Sequence, residues 1–149
     1  MVTIQHVRDK LPDGFELLRH AAEGEAYEMM ARLAREWADG TNRFDGPGEA
    51  LVAAMDGAVL AGMGGMNIDP FVYGALRMRR FYVRPAYRRK GVARAIANAL
   101  LDRPEIEGRT ITLSAPQAEA ARFWEALGFV RDNADGHTHI RSSGDYMHA

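Results

Sequence analysis

The chain has 149 residues, with 19 Lys or Arg, 20 Asp or Glu, no Cys and a formal net charge of -1 at pH 7. This length predicts one domain, residues 1–149, that is large enough to bury a sizeable core. The balanced charge argues against a general basic coat for nucleic acid. Without cysteine, the chain can form neither a disulfide nor an acyl-cysteine intermediate.

The hydropathy pattern predicts a protein with no membrane partner. Residues 1–10 contain no apolar core of the signal-peptide kind, and the longest apolar run, residues 58–66, is too short to span a bilayer. We therefore expect a cytoplasmic protein, which is compatible with the lack of cysteine.

The first half of the chain predicts a strand, a helix and a hairpin. Residues 15–21 suggest the strand, and an apolar stripe through Met30, Leu33 and Trp37 predicts a helix over about residues 25–38. Residues 51–55 and 58–66 flank Asp56-Gly57, a dipeptide typical of tight hairpin turns. Two antiparallel strands are therefore expected here.

The second half alternates strands and helices. The predicted elements, in order, are a strand at 77–83, a helix at 91–102, a strand at 109–113, a helix at 117–127 and a hairpin from 129 to 141. Ser114 and Gln117 match a capping box, and Gly128 stands where a left-handed helix cap is expected. We predict an α+β fold with a central mixed, mostly antiparallel sheet flanked by helices.

The segment from Arg88 to Ala93 has the features of a phosphate-binding loop. It follows a strand-like run and a proline, and it enters a predicted helix at Gly91. The first turn of a helix leaves backbone N–H groups unpaired at the positive end of the helix dipole. Glycine lets a phosphate approach these groups, and Arg88, Arg89 and Lys90 raise the local positive potential. A diphosphate suits this site better than a carboxylate.

Two motifs resemble the GNAT superfamily of acyl-CoA-dependent N-acetyltransferases. One is Arg88-x-x-Gly91-x-Ala93 after the run Phe-Tyr-Val-Arg-Pro at 81–85, and the other is Phe-Trp-Glu-Ala-Leu-Gly-Phe at 123–129. The resemblance covers most of the chain and implies an acyltransferase that uses acetyl-CoA as co-substrate, without a metal.

The resemblance also implies a set of cofactor-binding residues. Backbone amides would hold the pyrophosphate of coenzyme A, with charge added by Arg88 and Arg94, and the strand at 81–83 would align the pantetheine. Gln117 stands where relatives often contact the pantetheine, although helix capping is an alternative role for it. The expected residues are Phe81, Tyr82, Val83, Arg88, Arg89, Lys90, Gly91, Val92, Ala93, Arg94, Gln117 and Trp124.

The acid and base common in this family are missing at the matching positions. Trp124 replaces the tyrosine that is the suspected acid in many relatives, and Arg77 and Arg79 stand where a glutamate base is frequent. We name no catalytic residue. Arg77 and Arg79 alternate onto one strand face, so we hypothesise an acceptor amine that carries a carboxylate. The alternative is that both are solvated edge charges.

Several other residues are weaker candidates. Tyr73, Tyr82 and Tyr87 are near enough in sequence to be acids, with packing as the alternative role. His137 and His139 have a metal-like spacing but no third ligand, so we expect a surface pair.

Two apolar or glycine-rich groups also invite a functional interpretation. Residues 62–65 resemble a nucleotide loop but lead into no helix, and we expect them to allow a bulge or the close approach of a ligand. Trp37, Met63 and Met66 are expected in the core, with an acceptor pocket as the alternative.

Three function classes remain open from the sequence. The first is a small-molecule amine acetyltransferase acting through a ternary complex. The second is a protein or peptide acetyltransferase, and the third is a non-catalytic acetyl-CoA sensor. A nucleic-acid role for the basic segment is not expected, since no aromatic stacking platform is evident. An exposed sheet edge would allow pairing with a second copy of the chain.

Overall fold

A computed structural model describes residues 1–134 and 136–142 and contains one seven-stranded sheet with helices on both faces. The strands are β1 (Thr3–His6), β2 (Ala50–Asp56), β3 (Val59–Ile68), β4 (Leu76–Val83), β5 (Thr110–Leu113), β6 (Val130–Ala134) and β7 (His137–Ser142). The helices are α1 (Phe15–Gly24), α2 (Met29–Asp39), α3 (Val92–Leu101) and α4 (Ala118–Glu125). Two short 3₁₀ turns, Pro85–Tyr87 and Pro104–Ile106, precede α3 and β5.

The sheet has the strand order β1-β2-β3-β4-β5-β7-β6. Every neighbouring pair is antiparallel except β4 and β5, which are parallel. The predicted mixed, mostly antiparallel sheet is therefore confirmed. In the described residues no helix has the length and apolar composition needed to cross a bilayer.

The segment predicted as the first strand is a helix instead. Phe15, Leu18 and Ala22 are buried while Leu17 is 64% exposed, which is the spacing of a helix with one apolar face and not the alternation of a strand. The first strand is β1, a short edge strand whose residues are mostly exposed. Only Val2 and Ile4 pack against the core from this strand and the residue before it, and this alternation is too short to identify a strand from sequence.

Two hydrophobic clusters lie on opposite faces of the sheet. Apolar residues of α3 and α4 pack against one face, in the cluster that includes Ile96, Leu100 and Trp124. Residues of α1 and α2 pack against the other face, in the cluster that includes Leu18 and Leu33. The helices α2 and α3 thus bury the apolar stripes that their sequence periodicity predicted.

A β-bulge in β4 changes which way its side chains point. Gly65 pairs with Arg79 and Met63 pairs with Tyr82, so two residues of β4, Arg80 and Phe81, lie opposite one residue of β3. Arg80 has a φ of +62°, which a residue with a side chain rarely adopts. The bulge sends Phe81 to the α3 face, although Arg77 and Arg79 lie on the α2 face.

The glycine run at 62–65 is what allows this arrangement. A Cβ added at Gly64 would lie 2.7 Å from Ile96 Cγ2 and 2.8 Å from Phe81 Cζ, and one added at Gly65 would lie 2.6 Å from Phe44 Cε1. The predicted bulge is confirmed. The groups that approach Gly64 and Gly65 closely are side chains of this chain, and the approach of a ligand stays a prediction.

The strands β4 and β5 separate soon after they meet. They pair only at Leu76 with Ile111 and at Arg77 with Thr112. Beyond this point β4 continues to Val83 while β5 ends at Leu113. The gap between the diverging strands opens toward the start of α3.

The predicted capping box does not form. Gln117 is itself the residue that precedes α4, it has an extended conformation, and neither it nor another side chain caps the helix by a hydrogen bond. The helix begins after Gln117, so Ser114 lies too far upstream to be the cap. The left-handed residue predicted after this helix is confirmed, since Gly128 has a φ of +95°.

Candidate active site

The predicted phosphate-binding segment forms a loop that ends at the N-terminus of α3. Gly91 precedes the helix with a φ of +80°, and a Cβ added there would meet no atom within 4 Å. The first hydrogen bond of the helix joins Ala95 N to Gly91 O. The amides of Val92, Ala93 and Arg94 therefore have no acceptor within the helix.

A cavity of about 310 Å³ lies at this helix end, and we call it the loop cavity. Its walls include backbone and side chains from the end of β4, the loop, the first turn of α3 and α4. The lining residues are Val83, Tyr87, Arg88, Arg89, Gly91, Val92, Ala93, Arg94 and Phe123. Most of the residues predicted to bind a diphosphate are thus brought together around one space.

Lys90 and Gln117 do not line the loop cavity. Lys90 Nζ lies 6.0 Å from the centre of the Tyr87 ring, which is a cation–π contact at the limit of its range. Gln117 is exposed at the start of α4. The structure leaves the roles predicted for both side chains untested.

Arg88 is held by the segment that joins α1 to α2. Its Nη1 and Nη2 atoms lie 2.9 and 2.6 Å from the two carboxylate oxygens of Glu25, and its Nε donates to Val83 O at 2.9 Å. The hydrogen bonds from Arg88 and Tyr82 lower the pKa of Glu25. Glu25 therefore neutralises Arg88, and the remaining loop arginines supply the positive potential.

The three tyrosines have different environments. Burial, together with the hydrogen bond to Glu25, raises the pKa of Tyr82 to about 12, and its hydroxyl donates to Glu25 at 2.6 Å. The Tyr87 hydroxyl donates to Asp56 at 2.7 Å, and the Tyr73 side chain is fully exposed. Tyr82 and Tyr87 therefore have structural hydrogen bonds that hold their protons.

Aromatic side chains close the gap between β4 and β5. The Trp124 ring lies edge-on to Phe81 and Phe123, each at 4.9 Å between ring centres, and to Phe129 at 5.5 Å. Edge-to-face packing of this kind is favourable. Trp124, the residue at the position of the missing tyrosine, is thus 8% exposed and packs as a wall.

A second cavity, of about 320 Å³, lies between the diverging strands, and we call it the arginine cavity. It lies next to the loop cavity, since Phe81 and Trp124 line one and their near neighbours Val83 and Phe123 line the other. Its lining residues are Met29, Arg32, Arg77, Met78, Arg79, Arg80, Phe81, Leu113, Ser114 and Trp124.

Arg77 and Arg79 lie on the central strand of the sheet and are half-buried, so they are not solvated edge charges, whereas Arg32 is exposed. Arg77 Nη1, Arg79 Nε and Arg80 Nε are buried and have no hydrogen-bond partner among the residues that the structure describes. Burial, and the neighbouring charges of Arg77 and Arg80, lower the pKa of Arg79. Arg77 Nη2 donates to Gly136 O at 2.9 Å.

Sequence reasoning missed two arginines of this cavity. Arg80 lies on the α2 side only because of the bulge, and Arg32 comes from the first turns of α2. The glycine run opposite the bulge was the available signal for Arg80. Trp37, Met63 and Met66 are buried in the core as expected, whereas the methionines that line the cavity are Met29 and Met78.

The histidine pair is buried, so its prediction as a surface pair is wrong. His137 and His139 are 5% and 0% exposed, because β7 lies between β5 and β6 inside the sheet. Their Nε2 atoms lie 2.9 Å from Asp132 Oδ2 and 2.8 Å from Glu125 Oε2. No group of three metal-ligating side chains occurs in residues 1–134 and 136–142.

Comparisons with known proteins agree with the resemblance to the acetyltransferase (GNAT) family noted in the sequence. A model of the acetyltransferase (GNAT) family matches residues 11–129. Comparison with curated proteins gave no match. Among solved structures, one from Exiguobacterium sp. 255-15, assigned as an acetyltransferase, superposes with a TM-score of 0.84 at 23% identity, covering 95% of this chain and 93% of that one.

Two further structures share the fold at lower similarity. A GNAT-family acetyltransferase from Staphylococcus aureus Mu50 has a TM-score of 0.66 at 12% identity, covering 94% and 99% of the two chains. An aminoglycoside 6'-N-acetyltransferase in complex with coenzyme A has a TM-score of 0.65 at 18% identity, covering 94% and 96%. At these identities the likeness concerns the fold.

Proposed function

Because the chain belongs to the acetyltransferase (GNAT) family, we propose that it moves an acetyl group directly from acetyl-CoA to a primary amine of a small molecule that carries a carboxylate. The reaction would proceed in a ternary complex of both substrates, in one N-acetyltransferase domain spanning residues 1–149. A cytoplasmic location and the pairing of two copies stay predictions.

The loop cavity fits the diphosphate end of acetyl-CoA. Gly91 leaves open space beside amides that have no acceptor within α3, and Arg89 and Arg94 line the same space. The loop from Arg89 to Ala93 would hold the phosphates through its amides. Phe81 and Val83 would align the pantetheine along the free edge of β4. When bound, acetyl-CoA supplies an activated acetyl group.

The arginine cavity carries the proposal about the acceptor. A guanidinium group offers a planar fork of N–H donors that suits a carboxylate, and four of these groups line the cavity. Their positive charges also lower the pKa of a bound ammonium group, which favours the neutral amine that attacks a thioester. Cationic acceptors such as polyamines would be repelled from this space.

No side chain of the arginine cavity is suited to proton transfer. Among its described lining residues there is no Asp, Glu, His, Lys, Tyr or Cys. The amine proton would therefore leave through water, and the rate would come from the alignment of amine and thioester. A volume of about 320 Å³ is typical of a small-molecule site, which favours a small acceptor over a protein.

A sensor that binds acetyl-CoA without turnover is the second candidate, favoured by the same lack of an acid and a base. A combined screen separates the two. Thermal shift with acetyl-CoA, and release of free thiol in the presence of amino acids, polyamines, aminoglycosides and peptides, should show stabilisation and turnover with amino acids. Stabilisation without turnover on any amine would favour the sensor, and turnover with peptides alone would favour a protein acceptor.

A further inference from the structure

The charges around the arginine cavity do not balance. Four guanidinium groups line it, from Arg32, Arg77, Arg79 and Arg80. One nearby carboxylate, that of Glu36, is paired with Arg80.

A second carboxylate, that of Asp69, is close enough to influence the pKa of Arg79, but its oxygens already accept hydrogen bonds. The donors are the amides of Phe71 and Val72 and the hydroxyl of Thr112. Among the described residues, the four guanidinium groups exceed these two carboxylates by two positive charges, although the Arg32 side chain is exposed.

The cavity also retains donors that folding has not satisfied. A buried N–H without a partner costs about 1–3 kcal/mol, and more when the group is charged. Among the described residues, one such atom lies in each of three side chains that line the cavity, those of Arg77, Arg79 and Arg80, and the Arg80 side chain is only 8% exposed. Unpaired buried groups of this kind call for an explanation, and a bound anion beside them is one.

We propose that the acceptor is an amino dicarboxylic acid, an inference that rests on the proposed function and names its substrate class. Two carboxylates and a neutral amine would match the two excess charges, whereas one carboxylate would leave one guanidinium group without an opposite charge. Arg77 and Arg79 are two residues apart on one strand face, so their backbone positions are about 6.5 Å apart. Donors spread over this distance suit two separate carboxylates better than one compact phosphate.

Acceptors matched in size test this proposal by kinetics. With saturating acetyl-CoA, kcat/KM for glutamate and aspartate should exceed that for glutamine and asparagine by roughly 10- to 100-fold, because the amides lose one charge-assisted pair. Equal values for acids and amides would overturn the dicarboxylate assignment but leave the proposed function in place. A preference for O-phosphoserine over glutamate would overturn it in favour of a phosphate ligand.

A binding measurement separates failure of this inference from failure of the proposed function. Glutarate, which has no amine, should raise the melting temperature of the protein more than its monoamide does, whether or not turnover occurs. If glutarate stabilises but no amine is acetylated, the proposed function is wrong and the anion site stands. If neither glutarate nor its monoamide shifts the melting temperature, the anion site is wrong.

The variant Arg79→Gln tests whether Arg79 is responsible for the preference for acids over amides. It should lower kcat/KM for glutamate by roughly 10-fold or more while changing that for glutamine much less. A general structural defect would lower both equally. Arg35→Gln, at an exposed position of α2 outside the cavity, is the matched control and should keep the preference. Retention of the wild-type preference in Arg79→Gln would contradict the proposal.

Discussion

Glu36 of α2 and Arg80 of β4 form an ion pair, with 2.9 Å between Glu36 Oε1 and Arg80 Nη2. The Arg80 side chain is 8% exposed, and its backbone has the positive φ of the bulge. The pair thus ties the irregular part of the central strand to the helix above it. Arg79, Arg80 and Phe81 all line the arginine cavity, so this contact also holds part of the wall of that cavity in place.

We expect Glu36→Gln to destabilise the protein. The substitution leaves the buried guanidinium of Arg80 without its charged partner, which costs about 1.5–3 kcal/mol. Urea unfolding followed by circular dichroism measures the change. Glu28→Gln is the control. Glu28 precedes the same helix, is exposed, and makes no side-chain hydrogen bond to the helix end. Equal stability of the two variants would show that the ion pair does not hold the bulge.

Gly91→Ala should weaken the binding of acetyl-CoA. A methyl group at this position would stand beside the loop amides, and we expect the dissociation constant to rise at least about tenfold, or about 1.4 kcal/mol. Isothermal titration calorimetry with coenzyme A measures it.

A matched glycine separates this effect from backbone strain. Gly108 has a φ of +79°, close to the +80° of Gly91, and a Cβ at either position meets nothing within 4 Å. Both alanine variants should lose about 1–2 kcal/mol of stability. Only Gly91→Ala should bind coenzyme A more weakly, and equal binding by both variants would argue against the phosphate-binding role of the loop.

Gly64→Ala should destabilise the protein by overpacking. Its new methyl group would lie 2.7 Å from Ile96 Cγ2 and 2.8 Å from Phe81 Cζ, and such insertions typically cost about 1–3 kcal/mol. Gly24→Ala, at the end of α1 with open space around it and no positive φ, should instead be neutral or stabilising by up to about 1 kcal/mol. Thermal unfolding of both variants checks the contrast, which vanishes if the centre of the sheet can relax.

Asp69 should make the stability of the protein depend on acid pH. Burial acts to raise the pKa of its carboxyl, but the hydrogen bonds from Thr112, Phe71 and Val72 outweigh burial and lower it from the usual 3.8. A lowered folded-state pKa means that the stabilisation is complete above the unfolded pKa and is lost as the pH falls through the folded pKa.

The variant Asp69→Asn tests this dependence. Its amide cannot accept all three hydrogen bonds, so we expect a loss of about 1–3 kcal/mol at pH 7. Below about pH 3.8 the difference from the wild type should shrink, because the unfolded carboxyl takes up its proton first and the folded carboxyl is protonated only at a lower pH. Urea unfolding at pH 7, 4 and 3 gives the curves, and a constant difference across that range would rule out a carboxylate role.

Most of the sheet and three of the four helices could be predicted from periodicity and turn residues. The exception is α1, because residues 15–21 contain only two members of its buried face, Phe15 and Leu18, and the third, Ala22, lies just beyond. The edge strand β1 contributes only Ile4 to the core, which is too little for a sequence pattern. Its pairing with β2 depends on the tertiary fold.

The loop of the candidate site could be predicted closely, because its signals are local: a proline, a basic run and a glycine before a helix. The acceptor side could be predicted only in part. Arg77 and Arg79 were found by alternation, but Arg80 joins them through a bulge that depends on close packing across two strands. The buried histidines were likewise misjudged, since the position of β7 inside the sheet follows from strand order and not from local sequence.

The short pairing of β4 with β5 divides the sheet into two parts, β1 to β4 and β5 to β7, that share few backbone hydrogen bonds. Only two residue pairs connect the parallel strands there, so the unit built from β5, β6 and β7 is held to the rest chiefly by side-chain packing. A pantetheine bound along β4 would contact both parts and hold them together. Ligand binding would therefore slow amide hydrogen exchange in β5 and β7, strands that the ligand itself need not touch.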